Sequence, residues 1–459
     1  MSQAVDMGQG KVSHVLGRLA LPLMVSLFFQ NLYAYADTVF VSWLGETPLA
    51  AISLALPLTY LALSLAKGVA MGSVILMSFS RGAGDEAAAQ KIAESVFPLM
   101  LLFMALFSPL MLAPVGQAFY LALGADPDTA VQGTGFIFWL VASFFPMGYV
   151  MTVEALFTAR GDTVTPMKAM LLGNILNIML APIFIFVLGW GLTGAAAATF
   201  TCQCLSAIYI GYRLRALLGE TLQWLPQAGG LKIWWQILKQ GLFVTAAYLI
   251  TPIALMLLNG ILVRFGAVAV GAWNLMSRTE MMVMLPIMGL SNALATFTGF
   301  NLGRLDYDRV RQGVFFFLKV SWAVIIPASL LFFFLPQQTI GLFRPTPELK
   351  VLGGIAMQAS ALSILFMPLL SAVAGMSQGM KRPVYMMGLM FVYLVCLRVP
   401  LADWFADRWG QQGVYWSHPV ASVCTAALAL FLLRRLLLDC RKLVMTGTAA
   451  TAKSDHEGA

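Results

Sequence analysis

Long apolar runs broken by short polar connectors dominate the chain. They predict membrane-spanning helices near 17–44, 48–79, 91–113, 130–154, 165–188, 192–213, 235–263, 267–300, 313–336, 351–376, 384–403 and 413–436. A helix needs roughly 20 mainly apolar residues to cross the hydrocarbon layer. Twelve such runs predict an all-α polytopic membrane protein. The longest polar connector lies midway, at 213–239, with Trp234 and Trp235 placed at headgroup level. It divides the chain into a six-helix N-terminal lobe over 11–215, a cytoplasmic linker over 216–234 and a six-helix C-terminal lobe over 235–443. Residues 444–459 read as a disordered cytoplasmic tail.

Composition agrees. Hydrophobic residues make up 60% of the 459, charged residues only 10%, and mean hydropathy is +0.83. An ordinary soluble enzyme is excluded, because charged residues are roughly 25% of a typical soluble domain. The net charge of +8 does not point to nucleic acid, since the basic residues are scattered through short connectors. With a cytoplasmic N-terminus, the inner side collects most of them, including Arg81, Arg160, Arg213, Arg215, Arg304, Arg309, Arg311, Arg434 and Arg435. The outer side holds Arg264, Arg344, Lys350, Arg398 and Arg408. Retention of positive loops inside therefore places both termini in the cytoplasm.

Catalytic and cofactor signatures are missing. There is no phosphate-binding GxxxxGK[ST] loop, no HExxH and no GxSxG. His14, His418 and His456 form no metal pattern, and the cysteines read as free thiols. The expectation is a protein that is not an enzyme and has no cofactor or metal.

The chain also repeats itself. Gly68, Gly82 and Asp85 recur as Gly289, Gly303 and Asp306, an offset of 221 residues, and the same offset carries Gly45 onto Gly266 and Ala51 onto Ala272. A further echo sets Ala159-Arg-Gly161 and Pro166 beside Ser377-Gln-Gly379 and Pro383. Two like halves starting on the same membrane face predict a central cavity between them, the usual basis of alternating access.

Charges inside apolar spans are expensive and mark function or pairing. Five stand out: Asp37, Lys67, Glu154, Arg278 and Glu280. Asp37 lies about 10 Å below the outer interface at 1.5 Å per helical residue. Span five runs the other way and brings Asn177 to a comparable depth. Asp37 with Asn177, and with Tyr35 or Thr199 nearby, makes a candidate proton relay. The competing reading has Asp37 capping a kink. Glu154 reads as an interfacial charge paired to Lys67 or Arg160. Glu280 is a candidate for a second site or a partner in a structural charge pair, and Lys67 and Arg278 are the buried bases. Pro22, Pro57, Pro146, Pro182, Pro252, Pro286 and Pro368 mark bends, fixed or moving.

The chain resembles the multidrug and toxic compound extrusion (MATE) family over about residues 11–440. The resemblance rests on Pro22, Asp37-Thr-Val-Phe-Val-Ser-Trp-Leu-Gly45, Gly68 to Gly84, and Ala159-Arg-Gly-Asp-Thr-Val-Thr-Pro166. It continues in Asn174-Ile-Leu-Asn177, Pro182 to Phe186, Gly194-Ala-Ala196, Pro286 to Leu290 and Asn301-Leu-Gly303. It implies two six-helix lobes in a V around a central cavity, in a bacterial inner membrane, and a monomeric antiporter of diverse cationic drugs. It maps the family's protonation residue onto Asp37 and neighbouring polar positions onto Asn177 and Thr199. Many relatives carry Asp where this chain has Ala181, so Asp37 stands alone. Span seven has no acidic residue, which leans the resemblance toward the damage-inducible (DinF-like) branch and toward protons. Sodium coupling and a lipid-linked precursor flippase remain the alternatives.

Overall fold

A computed structural model describes residues 4–218 and 230–457. Its helices are α1 (Val12–Ser42), α2 (Glu46–Gly82), α3 (Glu86–Ala105), α4 (Ala113–Ala122), α5 (Pro127–Ala159), α6 (Val164–Pro182) and α7 (Gly191–Leu218). They continue as α8 (Gly230–Val263), α9 (Ala267–Gly303), α10 (Tyr307–Phe334), α11 (Pro336–Gly341), α12 (Pro347–Ile364), α13 (Met367–Gly379), α14 (Val384–Phe391) and α15 (Val399–Glu457). Among the described residues, ten helices are long and apolar enough to span a membrane, or eleven when α12 and α13 count as one bent span.

Several breaks were not visible in the apolar runs. The third expected span, 91–113, is helical only to Ala105, and Pro109 and Pro114 then confine the chain to a short turn and α4. The tenth is bent by 48° between α12 and α13. At that bend the Leu365 carbonyl accepts from Trp322 Nε1 at 3.0 Å instead of continuing the helical ladder. Pro182 ends α6 in a π-helical stretch, Ile183–Val187, and a second such stretch, Val392–Arg398, joins α14 to α15. Unbroken, Val384–Thr446 would measure about 95 Å, three times the hydrocarbon thickness. Gly410 interrupts it in the gap expected between spans 384–403 and 413–436, at φ 61° and ψ −150°, backbone that only glycine adopts freely.

The connector and tail also differ from expectation. Of the linker expected over 216–234, residues 219–229 lie outside the described residues. Lys232 and Trp234 belong to α8 instead. Trp234 is not free in the headgroup layer: its Nε1 donates to the Ser95 carbonyl at 3.0 Å, whereas Trp235 is exposed. Past 444, helix continues to Glu457 where a disordered tail was expected, because the segment carries neither Gly nor Pro between Ala449 and Glu457.

The chain forms two compact units. One gathers Val5, Val25–Met77 and Asp85–Thr245; the other gathers Asp6–Met24, Ser78–Gly84 and 246–457. Thus α1, α2 and α8 are each shared between units. In the first unit, alanines (Ala55, Ala62, Ala66, Ala155, Ala159, Ala195, Ala198) pack among Phe144, Phe157 and Val153. Small residues let helix backbones approach closely in this way. Asp126 caps α5 by accepting from Thr129 Oγ1 at 2.6 Å and Thr129 N at 2.9 Å, and these bonds hold its carboxyl below the usual carboxylate range. In the second unit Arg309 clasps the N-terminal segment. It donates to the carbonyls of Gly10, Met7 and Gln9 at 2.9, 3.1 and 3.1 Å, and to Asn301 Oδ1 at 3.2 Å.

The repeat is structural. Gly45 and Gly266 precede α2 and α9 with φ of 109° and 91°. Asp85 and Asp306 cap α3 and α10 by accepting from Ala88 N at 2.8 Å and Arg309 N at 3.0 Å. Just before each cap the backbone is left-handed, at Gly84 (φ 77°) and Leu305 (φ 60°). The later echo holds in a different register. Asp162 N donates to Phe157 O, and Arg382 N to Ser377 O, so Gly161 (φ 80°) corresponds to Lys381 (φ 58°) rather than to Gly379. Gly379 instead lies inside α13, against Ala295 and Thr298.

Contacts repeat too. Gly68 packs on Thr245 and Gly241 of α8 in the first unit, and Gly289 packs on Met24 of α1 in the second. Adding 221 to Gly68 and to Met24 yields Gly289 and Thr245.

Candidate functional site

Asp37 lies in the last third of α1, within the first unit. Its Oδ1 is buried and has no hydrogen-bond partner among the described residues. Leaving a carboxylate oxygen so placed costs free energy. The kink-capping reading therefore fails for that oxygen, since no neighbouring amide donates to it. Tyr33, one turn earlier on the same helix, stands close enough to feel both Asp37 and Cys202 of α7.

Spans five and six meet through side chains. Asn177 Nδ2 donates to Thr199 Oγ1 at 3.2 Å, joining α6 to α7, and Thr199 donates back to the Ala195 carbonyl at 3.2 Å. Asn177 is 3% exposed and Asn174, one turn before it, 8%, so both amides face protein. Asn174 Nδ2 is also buried and unpartnered. No hydrogen bond joins Asp37 to Asn177 or Thr199 among the described residues. The first unit thus holds an unpaired carboxylate oxygen, an unpaired amide and one bonded amide–hydroxyl pair within an alanine-rich core. Ala181, where an acid was looked for, is fully buried and supplies no charge.

The other charges resolve differently. Glu154 of α5 stands within electrostatic reach of Lys67 of α2. Glu280 reaches side chains of two other helices. Its Oε2 accepts from Ser360 Oγ of α12 at 2.7 Å and lies 3.8 Å from His418 Nδ1 of α15. The positive charge acting on it is Arg398.

Arg398 overturns its expected place in an outer loop, being 1% exposed. Its guanidinium lies over the Trp273 ring, 4.8 Å from the centroid, and Nη1 and Nη2 have no hydrogen-bond partner among the described residues. His418 Nε2 lies 2.8 Å from the Tyr393 hydroxyl. Counting basic residues by loop cannot find such an arginine, because it treats every Arg near a span end as exposed. The signal available was its setting, Tyr393-Leu-Val-Cys-Leu-Arg398-Val-Pro, apolar on both sides.

The fold and these buried polar groups define a polytopic helical membrane protein built from two copies of one unit, with ionisable side chains held inside its spans. The sequence profile of the MatE family matches residues 22–183 and again residues 244–404, once in each half. The chain belongs to the MatE, or multidrug and toxic compound extrusion, family, and is therefore a secondary active efflux transporter rather than an enzyme.

Individual relatives are distant but span the chain. The FAD transporter of Shewanella oneidensis is 25% identical over 435 residues, covering 93% of this chain and 95% of its own. The multidrug export protein MepA of Staphylococcus aureus is 22% identical over 436 residues, with coverage of 93% and 95%. Among solved structures, an outward-facing multidrug resistance MATE family transporter of the MOP superfamily superposes with a TM-score of 0.89 at 24% identity. That match covers 96% of this chain and 99% of the other, and it shows the shared fold.

Proposed function

We propose that the protein exports cationic or amphipathic drugs in exchange for protons, with Asp37 as the proton carrier and Tyr35, Asn177 and Thr199 as its polar surroundings. The observation that carries this reading is the buried, unpartnered Oδ1 of Asp37, the one acidic residue of α1. Binding a proton there removes an unpaired charge, and losing it restores one. The two protonation states therefore favour different surroundings, as an exchange cycle requires. Protons are favoured over sodium because α8 contains no acidic residue and Ala181 supplies no second carboxylate beside Asp37.

The reading takes the spans as twelve, with the α12–α13 pair as one and the run broken at Gly410 as two. These form two six-helix lobes over 11–215 and 235–443 around a V-shaped central cavity, as the family resemblance implies. It places a monomer in a bacterial inner membrane with both termini cytoplasmic. In the cycle, drug enters from the cytoplasm or inner leaflet, and proton uptake at Asp37 from outside accompanies its release. The proton leaves inward to reset the carrier.

Purified protein in vesicles, given either a proton or a sodium gradient, tests this with tetraphenylphosphonium as cargo. Movement driven by protons alone supports it. Movement driven by sodium alone overturns the coupling. Movement of FAD but not of the cation would transfer the cargo of the Shewanella relative to this chain and overturn the drug assignment.

A further inference from the structure

The second unit holds a buried group of ionisable side chains that the Asp37 reading does not use. Glu280 from α9, His418 from α15, and Tyr393 and Arg398 from the π-helical stretch converge on one another, with Ser360 of α12 at the edge. Tyr393 and Arg398 stand five apart, about one π-helical turn, and Glu280 and His418 come from two other helices.

The group is incomplete as it stands. His418 has one ring nitrogen bonded, Nε2 to the Tyr393 hydroxyl at 2.8 Å, and one unbonded, Nδ1, although the residue is only 4% exposed. Glu280 Oε2 lies 3.8 Å from Nδ1, about 1 Å beyond a hydrogen bond. Ser422 Oγ donates to the His418 carbonyl at 2.9 Å and anchors that turn of α15. The ring is thus held by Tyr393 and by its own backbone, and its free nitrogen points to a carboxylate just out of reach. Glu280 keeps 17% of its side chain exposed, against 6% for His418. The carboxylate is thus the more accessible of the two groups.

We infer that Glu280 and His418 form a second proton-binding site, in which an arriving proton lodges between Glu280 Oε2 and His418 Nδ1 while Arg398 stands by as a fixed charge. The proton comes from water at Glu280 and returns to it by the same face. With the proton bound, Nδ1 and Nε2 both donate, to Glu280 and to the Tyr393 oxygen, and the 3.8 Å gap closes to a charge-assisted hydrogen bond.

The occupant is a proton rather than a metal cation. The always-charged guanidinium of Arg398 already balances Glu280 and repels any further cation that cannot be absorbed into a side chain. Of the elements packed on α9, α12 carries Glu348 and Lys350 in its first turn, about three turns before Ser360, and α15 carries Tyr415, whose hydroxyl donates to the Ala269 carbonyl at 2.9 Å, with Asp403, Asp407 and Arg408 nearer its start. Residues of α13 include none, and those of α10 (Tyr307, Asp308, Arg309, Arg311, Lys319) lie in its first half, toward the far end of α9. On α9 itself, Arg278 is the nearest charge in sequence.

This inference adds a second site to the proton-exchange reading but is tested apart from Asp37. The measurement is nitrogen NMR of histidine-labelled protein in detergent, titrated over a range of pH, with His418→Asn identifying the His418 signals. It is paired with proton release into weakly buffered solution when tetraphenylphosphonium is added. His418 should titrate between a neutral and a doubly protonated ring, and Glu280→Gln should displace that titration. Glu280→Gln should also reduce the protons released per cation bound. Because Glu280→Gln keeps the size of the side chain, Tyr393→Phe serves as a second, independent perturbation of the same ring. Repeated in Asp37→Asn, the His418 titration should persist. Should Asp37 prove not to be the carrier, this result would still stand. A His418 that stays in one neutral tautomer throughout, or a titration and proton release indifferent to Glu280→Gln, overturns the second site.

Discussion

Gly82 and Gly303 hold the same place in the two halves, and each is pressed against the other's helix. A Cβ on Gly82 would collide with the Phe300 carbonyl of α9, and one on Gly303 with the Phe79 carbonyl of α2. Phe79 and Phe300 are themselves 221 residues apart. The crossing is therefore reciprocal: what the first copy of the repeat does to the second, the second does to the first. Two glycines let the backbones meet where any side chain would hold them apart.

Gly82→Ala and Gly303→Ala should each destabilise the protein by about 1–3 kcal/mol, the usual cost of overpacking a tight contact. Gly260→Ala, at a helical glycine with open space around it, should be neutral or stabilising by up to about 1 kcal/mol through helix propensity. Thermal unfolding in detergent would check the contrast. Equal effects at all three positions would mean the crossing is not tightly packed.

Leu305 occupies a left-handed backbone position, φ 60°, where the first half has Gly84. A left-handed residue other than glycine costs roughly 1–2 kcal/mol. Leu305→Gly should therefore gain up to about 1 kcal/mol after its greater unfolded-state entropy and lost side-chain contacts are set against that relief. Gly84→Leu should lose a comparable amount. Unfolding midpoints of the two variants should move in opposite directions.

Lys381, in the connector after α13, lies over the Phe79 ring, 3.0 Å from its centroid, and burial pushes its amine down to about 8 from an ordinary 10.5. Because the folded value is the lower one, burial disfavours the charged form in the fold. That penalty is fully present below about 8 and fades as pH rises toward 10.5. Near pH 8 a large share of Lys381 is the nucleophilic free amine, while exposed lysines remain almost wholly charged. An amine-directed reagent followed by mass spectrometry should find Lys381 modified ahead of Lys11 and Lys232. Phe79→Leu removes an aromatic face that favours the ammonium, and should speed that modification further. Labelling of Lys381 no faster than that of exposed lysines would contradict this.

Much of the architecture was legible because it is written locally. Long apolar runs, the glycines at 45, 68 and 82, and the capping aspartates recur within short windows, and the structure uses them as spans, turns, contacts and caps. The breaks were less legible. Hydropathy averages over a window and does not register the bend after Ile364 inside one apolar run, whereas the break at Gly410 falls in the gap between the expected spans 384–403 and 413–436. The register of the later echo was misread for a related reason: Gly161 and Gly379 share a letter, but the left-handed turn falls on Lys381.

The sites divide in the same way. Asp37 was legible as a charge in a greasy helix, and Asn177 as an amide at a depth comparable to that of Asp37. Glu280, Ser360, Tyr393, Arg398 and His418 come from four separate stretches of chain, and only packing brings them together. Arg398 and His418 each looked ordinary where they stood, one as a loop base and the other as a solitary histidine.

The central claim is that Asp37 carries the exchanged proton, and the most direct measurement is uphill transport by Asp37→Asn in vesicles. Tetraphenylphosphonium binding to the purified variant is measured alongside. The account predicts that the variant still binds the cation and lets it equilibrate, yet cannot drive it against its own gradient at any imposed proton gradient. Uphill transport at the wild-type rate by Asp37→Asn would contradict it.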